Sequence, residues 1–309
     1  MLNRKMELPE HVRHIIRRLM SHGYEAYAVG GCVRDMMLGR EPEDWDITTS
    51  ALPEQVKELF PHTIDTGIQH GTVTVMIDHE GYEVTTYRID GEYEDSRHPK
   101  SVQFTPLLLE DLRRRDFTFN AMAYNDDAGL VDEFHGAEDL ERHVLRCVGD
   151  PMERFQKDAL RMMRAVRFVA QLGFRIEPET AEALSDMVDR IEIVSAERVR
   201  DELVKLLLSD RPRAGIEALV DSGLADIVLP EIPALQLEID EHHRHKDVFE
   251  HTMIVIERAV ALETGPDGPV PAPDLTLRLA ALLHDIGKPK TRRFEAGGKV
   301  SFHRHDAVG

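Results

Sequence analysis

Apolar residues at Val12, Ile15, Ile16 and Leu19 recur at the i, i+3, i+4, i+7 spacing of an amphipathic helix, which should end near Gly23. YEAYAVGG then reads as a short buried strand entering a glycine turn, and CVRDMMLG as a short helix stopped by Gly39. DWDITTS reads as a second strand, and PEQVKELF as a helix with Pro53 in its first turn. TVTVMIDHEGYEVTTYR alternates as strands do and carries Gly81 at its middle, which predicts a hairpin turning there. Past Pro151 the period changes. Leu184, Met187, Val188 and Ile191 repeat at helical spacing, as do Val199, Leu203, Leu206 and Leu207, and strand patterns nearly vanish. The Pro- and Gly-rich ETGPDGPVPAPD, 263–274, is expected to be a loop between helices. The pattern predicts an α+β head followed by helices, with no internal repeat.

Composition narrows this picture. At 309 residues and 42% hydrophobic, the chain can build two or three domains with real cores. Cys32 and Cys147 form no spaced set, so neither a disulfide scaffold nor a zinc site follows. The charged start is not that of a signal peptide, and no run of about 18 apolar residues offers a membrane span. A cytoplasmic location and no membrane partner are expected. The formal charge of -19 argues against a general nucleic-acid binder. Locally the sign reverses: Arg154, Lys157, Arg161, Arg164, Arg167 and Arg175 face one acid, Asp158.

The candidate chemistry begins at Asp44 and Asp46. In a strand, residues two apart share a face, so the two carboxylates would converge while Trp45 turns into packing. Like charges held that close call for a neutralising cation, and an all-oxygen set suits Mg²⁺. Two such ions can clamp the attacking and leaving oxygens of a phosphoryl displacement. Alone, a D-x-D is more often a solvated strand edge or turn. Here VGGCVRD precedes it. Gly30 and Gly31 allow close backbone approach to phosphate at a helix start, and Arg34 can add charge-assisted bonds to a triphosphate. A phosphate cradle beside a metal-binding pair suits nucleotidyl transfer.

GGCVRDMMLG followed by DWDITTS resembles the first signature of the class II tRNA nucleotidyltransferase and bacterial poly(A) polymerase family. RRDFTFNAMAYN (114–125), GDPMERFQKDALRMMRAVRFVAQLGF (149–174) and ERVRDELVKLL (197–207) continue the resemblance in order, over roughly residues 24–230. It implies a polymerase-β-like nucleotidyltransferase head over 1–148, then an all-helical neck and body over 149–237 for nucleotide recognition and RNA binding. It further implies that Asp44 and Asp46 hold catalytic Mg²⁺, and that Gly30, Gly31 and Arg34 contact the triphosphate. Arg115, Asp116 and Asn120 would handle the ribose and phosphates. Glu83, on the hairpin, is a possible third carboxylate, although charged residues on exposed strand faces are ordinary.

Asp158 and Arg161 stand three apart on a predicted helix, hence on one face. The spacing is equally that of an ordinary salt bridge. In the functional reading, a carboxylate and a guanidinium match the amino donor and ring-nitrogen acceptor that cytosine and adenine share, and they mismatch uracil and guanine. The family uses such a pair as a protein template; it usually has Glu before the Asp, where this chain has Lys157. Arg164 and Arg167 continue the spacing, as nucleotide or RNA contacts or in salt bridges. RIDGEYEDSRHPKSVQF, 88–104, resembles the flexible loop of full CCA-adding enzymes, so the expected reaction adds CCA to tRNA 3′ ends from CTP and ATP. Poly(A) or partial addition is the alternative within the family.

HDIGKPKT at His284, with His251 upstream, resembles the start of an HD-type metal phosphohydrolase domain over 238–309, which would be incomplete at Gly309. The resemblance implies a second divalent metal on His251, His284, Asp285 and a later Asp, with His305 available to a further ion. The alternative of another class is a phosphohydrolase whose head only binds nucleotide or RNA. His242, His243 and His245 read as a solvated turn.

Overall fold

The computed structural model describes residues 6–90, 102–237, 247–264, 270, 272–296 and 299–309. The chain forms two compact units, Met1–Lys157 and Asp158–Gly309. Residues 91–101 of the flexible-loop segment lie outside the described residues, as does the histidine cluster at 242–245.

In the first unit, α1 (Glu10–Ser21) buries Val12, Ile15, Ile16 and Leu19, the stripe its spacing predicts. The elements that follow are β1 (Ala26–Val29), α2 (Gly31–Leu38), β2 (Asp46–Thr49), α3 (Pro53–Leu59), β3 (Thr63–Gly67), β4 (Thr72–Ile77) and β5 (Glu80–Thr86). After them come β6 (Arg88–Asp90), β7 (Val102–Phe104), α4 (Leu108–Arg113), β8 (Ala123–Asn125), β9 (Gly129–Val131), α5 (Gly136–Arg142), the two-residue β10 (Val144–Leu145) and α6 (Pro151–Lys157). Seven strands make one mixed sheet in the order β3-β4-β5-β2-β1-β8-β9. The β2–β5 pair is parallel and the other pairs are antiparallel. Val29, Leu112, Ala121, Ala123 and Val148 form a buried cluster that carries α4 and the 118–123 segment beside β1.

Three expectations change here. The β4–β5 hairpin turns at Asp78 and His79, with φ of 49° and 70°, and not at Gly81. A two-residue turn of this hand needs positive φ at both positions, which Asp tolerates. Gly81 instead pairs with Met76 inside the strand. Strand β2 starts at Asp46, so Asp44 and Trp45 lie on its approach. Asp158 sits in a break between helices rather than on one: it follows α6, and α7 begins at Leu160, whose amide donates to Asp158 Oδ1 at 3.1 Å. A short carboxylate that takes a first-turn amide ends one helix and starts another.

The second unit carries α7 (Leu160–Leu172), the two-residue β11 (Arg175–Ile176), α8 (Pro178–Asp186), α9 (Ala196–Leu207), α10 (Pro212–Asp221) and α11 (Leu224–Val228). Beyond them stand α12 (Val248–Thr264), α13 (Leu275–Leu283), α14 (Lys288–Thr291), the antiparallel hairpin β12 (Arg293–Glu295) and β13 (Lys299–Ser301), and α15 (His305–Val308). Helix α7, which buries Met162, Met163, Val166 and Phe168, packs on α9 and α10. Helix α12 runs to Thr264, so the expected loop starts two residues late, and most of it falls outside the described residues. No helix among the described residues is long and apolar enough to cross a membrane.

Candidate active site

Strand β2 leads the chain from a solvent-facing Asp46 into a buried Ile47-Thr48-Thr49 run. Across the parallel pair, Asp46 stands in register with Glu83 of β5. Facing positions on adjacent strands bring side chains together. Desolvation pushes the Asp46 carboxyl above its ordinary value. The Arg115 charge opposes that rise, and the Asp44 charge adds to it. Glu83 is likewise raised, first by desolvation and then by Asp46 and Asp44. Three acids thus share one electrostatic site. Trp45 turns away and lines a surface pocket with Met36, Arg40 and Pro42.

Beside this cluster runs the glycine turn. Gly30 has φ of +80°, and a Cβ built on it would stand 2.9 Å from Arg115 Nη1. The positive φ favours glycine, and the short approach places the Arg115 guanidinium at the turn. Its amide donates to Met122 O at 3.1 Å, so Gly30 serves through shape and not as a phosphate donor. Helix α2 starts at Gly31, and the amides of a first helical turn have no intrahelical acceptor. Arg34 is held bidentately by Asp35, with Nε at 2.9 Å and Nη2 at 2.8 Å, and gives Nη1 to Asn120 Oδ1 at 2.9 Å. Asn120 Nδ2 donates in turn to Asp116 Oδ1 at 3.1 Å, which also accepts the Phe117 amide. Asp116 and Asn120 are buried. The predicted Gly30, Gly31, Arg34, Arg115, Asp116 and Asn120 therefore form one continuous group in the first unit.

Two residues of this group escaped the sequence reading. Asp111, fully buried, anchors Arg114 and Arg115. Asp139, also buried, accepts from the Thr118 hydroxyl at 2.6 Å and from Nε and Nη2 of Arg146, which fixes the turn before Asn120. Each lies three or four residues from an arginine or beside other acids, a pattern that resembles any solvated helix face.

In the second unit, Asp158 Oδ1 lies 3.7 Å from Arg198 Nη2. Arg161 is buried, and its amide donates to Asp158 O at 3.1 Å. Arg167 forms a buried ion pair with Glu202 at 2.7 Å and lies over the Phe168 ring. Arg164 approaches the same ring at 5.6 Å.

The second unit also holds a metal-type cluster. Ligand atoms of His251, His284 and Asp285 lie within 4.8 Å of one another. The His284 Nδ1 faces Ala281 O at 2.9 Å. A carbonyl only accepts, so Nδ1 carries the proton and Nε2, 3.1 Å from Asp285 Oδ2, is the nitrogen that could face a metal. His305 repeats the device: Nδ1 faces Phe302 O, and Nε2 lies 3.5 Å from Asp285 Oδ1. Lys288 Nζ stands 2.6 Å from Asp285 Oδ2.

A mixed sheet presenting strand carboxylates beside a glycine turn and two arginines defines a nucleotidyltransferase-type head. Residues 26–146 match the family model of the poly A polymerase head domain, 173–235 the probable RNA and SrmB- binding site of polymerase A, and 248–309 the HD domain. The CCA-adding enzyme of Lactobacillus johnsonii is 49% identical over 214 residues, which is 69% of this chain and 54% of that protein. That of Leuconostoc mesenteroides subsp. mesenteroides is 49% identical over 224 residues, 72% and 55%. The crystal structure of the Bacillus stearothermophilus CCA-adding enzyme in complex with CTP superposes with a TM-score of 0.72 at 35% identity, over 98% of this chain and 67% of that one. The chain belongs to the CCA-adding enzyme family. It spans about half the length of the curated relatives it matches.

Proposed function

We propose that the protein adds CCA to tRNA 3′ ends from CTP and ATP. The carrying observation is the gathering of Asp44, Asp46 and Glu83 beside the Gly30–Gly31 turn, with Arg115 against Gly30. Relatives named for CCA addition, and one solved with CTP, support the choice of product over poly(A) or partial addition.

The donor set fits a hard divalent cation: all ligands are carboxylate oxygens, in a place that resists the charge of Asp46 and Glu83. Asp44 and Asp46 would hold the Mg²⁺, with Glu83 adjoining, and the bound ion would offset charge on the reacting phosphate. The protein's own part is binding and alignment. The α2 first turn and the Arg34 and Arg115 guanidinia hold the triphosphate; the Asp116–Asn120 pair sets the ribose. The tRNA 3′-oxygen bonds to the α-phosphorus as the bond to pyrophosphate breaks in line. Asp158 and Arg161 select the base by accepting from its amino group and donating to its ring nitrogen. Arg164 would meet RNA or nucleotide, while Arg167 braces the helix through Glu202. A reaction on tRNA belongs in the cytoplasm.

The His251, His284 and Asp285 cluster supports a second metal site of phosphohydrolase type. His305 is the fourth ligand within reach through its oriented Nε2. The chemistry is tested by incorporation of labelled CTP and ATP into tRNA lacking its 3′ end. Asp44→Ala should lose at least about a thousand-fold in rate with an unchanged melting temperature. Transfer that survives this change rejects the metal assignment.

A further inference from the structure

Asp111 sits on α4 one turn before Arg115, with no exposed surface. Its two oxygens divide their partners. Oδ1 accepts from Arg114 Nε at 2.9 Å and Nη2 at 2.8 Å, and from the Arg88 amide at 3.4 Å. Oδ2 accepts from the Thr48 hydroxyl at 3.1 Å and from Arg115 Nη2 at 3.4 Å. Thr48 lies two residues along β2 from Asp46, on the same face of the strand. One buried carboxylate therefore ties the strand that carries Asp46 to the arginine that touches Gly30.

The Arg115 side of this contact is unfinished. Nη2 is spent on Asp111, Nη1 lies against the Gly30 backbone, and the buried Nε–H has no acceptor among the described residues. A buried donor without a partner costs free energy unless something fills it. A structural ion pair for Asp111 needs only Arg114, whose contacts are the shorter ones. Arg115 is held more loosely, with donors left over at the glycine turn.

We infer that Asp111 is a positioning residue, which sets the Arg115 guanidinium against the glycine turn and so determines affinity for the nucleoside triphosphate. This rests on the reading of the head as a triphosphate site. Without the carboxylate, the guanidinium is free to swing toward Asp46, and the donors lose their aim at the phosphates.

The test measures CTP binding to the full chain in Mg²⁺ by titration calorimetry, alongside thermal melting. Asp111→Asn keeps the shape and removes the charge; it should weaken CTP binding roughly ten-fold. Thr48→Val, which removes a hydrogen bond to the same carboxylate but not its charge, should lower the melting temperature while shifting CTP affinity by less than about two-fold. In an Arg115→Met background, Asp111→Asn should cost no further affinity, because the two residues act as one unit. If Asp111→Asn alone does not fold, Asp111→Asn with Arg114→Met removes the buried charge together with its nearest partner, and it must show the same weakening. CTP binding within about two-fold of the parent in the folded variant, or additive losses in the double variant, overturns the inference. A parent that binds CTP but never extends tRNA overturns the transfer reading alone; one that binds no CTP overturns both.

Discussion

Asp46 and Glu83 are the residues whose ionisation the fold resists, and this has a measurable sign. Both carboxyls titrate above their ordinary values of 3.8 and 4.5, first through desolvation and then through neighbouring acids. The folded state thus holds these protons more tightly than the unfolded chain does. Stability contributed by the protonated forms is present below the ordinary values and is lost as pH rises through the raised ones. Glu83→Gln should therefore melt higher than the parent at pH 7, with the advantage shrinking as pH falls and gone below the ordinary carboxylate range. Melting curves across pH check this; an equal or lower melting temperature at pH 7 contradicts it. In the sequence Asp44 and Asp46 stand out only because a glycine pair and an arginine precede them, whereas Glu83 reads as an ordinary exposed strand residue. Asp111 was not legible. An acid followed by Arg113, Arg114 and Arg115 looks like a solvated helix turn, and only burial shows that it faces inward.

At the scale of elements, amphipathic spacing marked α1 because it reports the buried face directly, and it marked α9 although there only Leu206 and Leu207 of its stripe are buried. It failed where local hydrogen bonding overrides the period. Asp158 stops a helix that the apolar pattern carries through, and Asp78–His79 makes the turn that Gly81 advertised. The tertiary ties between helices were equally hidden. Arg278 on α13 is buried and clamps Glu263 of α12 through Nε and Nη2, while its Nη1 reaches the carbonyls of Leu207 and Ser209 after α9. Three helix ends meet on one guanidinium. Arg278→Met would leave Glu263 charged and buried, and the carbonyls unmatched. It should destabilise the chain by about 3–5 kcal/mol. Denaturant unfolding followed by circular dichroism measures this, and a loss below about 1 kcal/mol would show the clamp to be incidental.

For the whole molecule, the formal charge of -19 leaves any contact with nucleic acid to local basic patches, since bulk charge repels phosphate. The order of motifs along the chain carried the fold class, because each short motif is weak alone and several in a fixed order are not. The central proposal is that the chain adds CCA to tRNA 3′ ends from CTP and ATP. The most direct measurement is sequencing the 3′ ends of tRNA that begins without them, after incubation of the full chain with CTP and ATP together. The account expects ends of CCA and nothing longer. Ends bearing CC alone, a lone A or a lengthening run of A would contradict it.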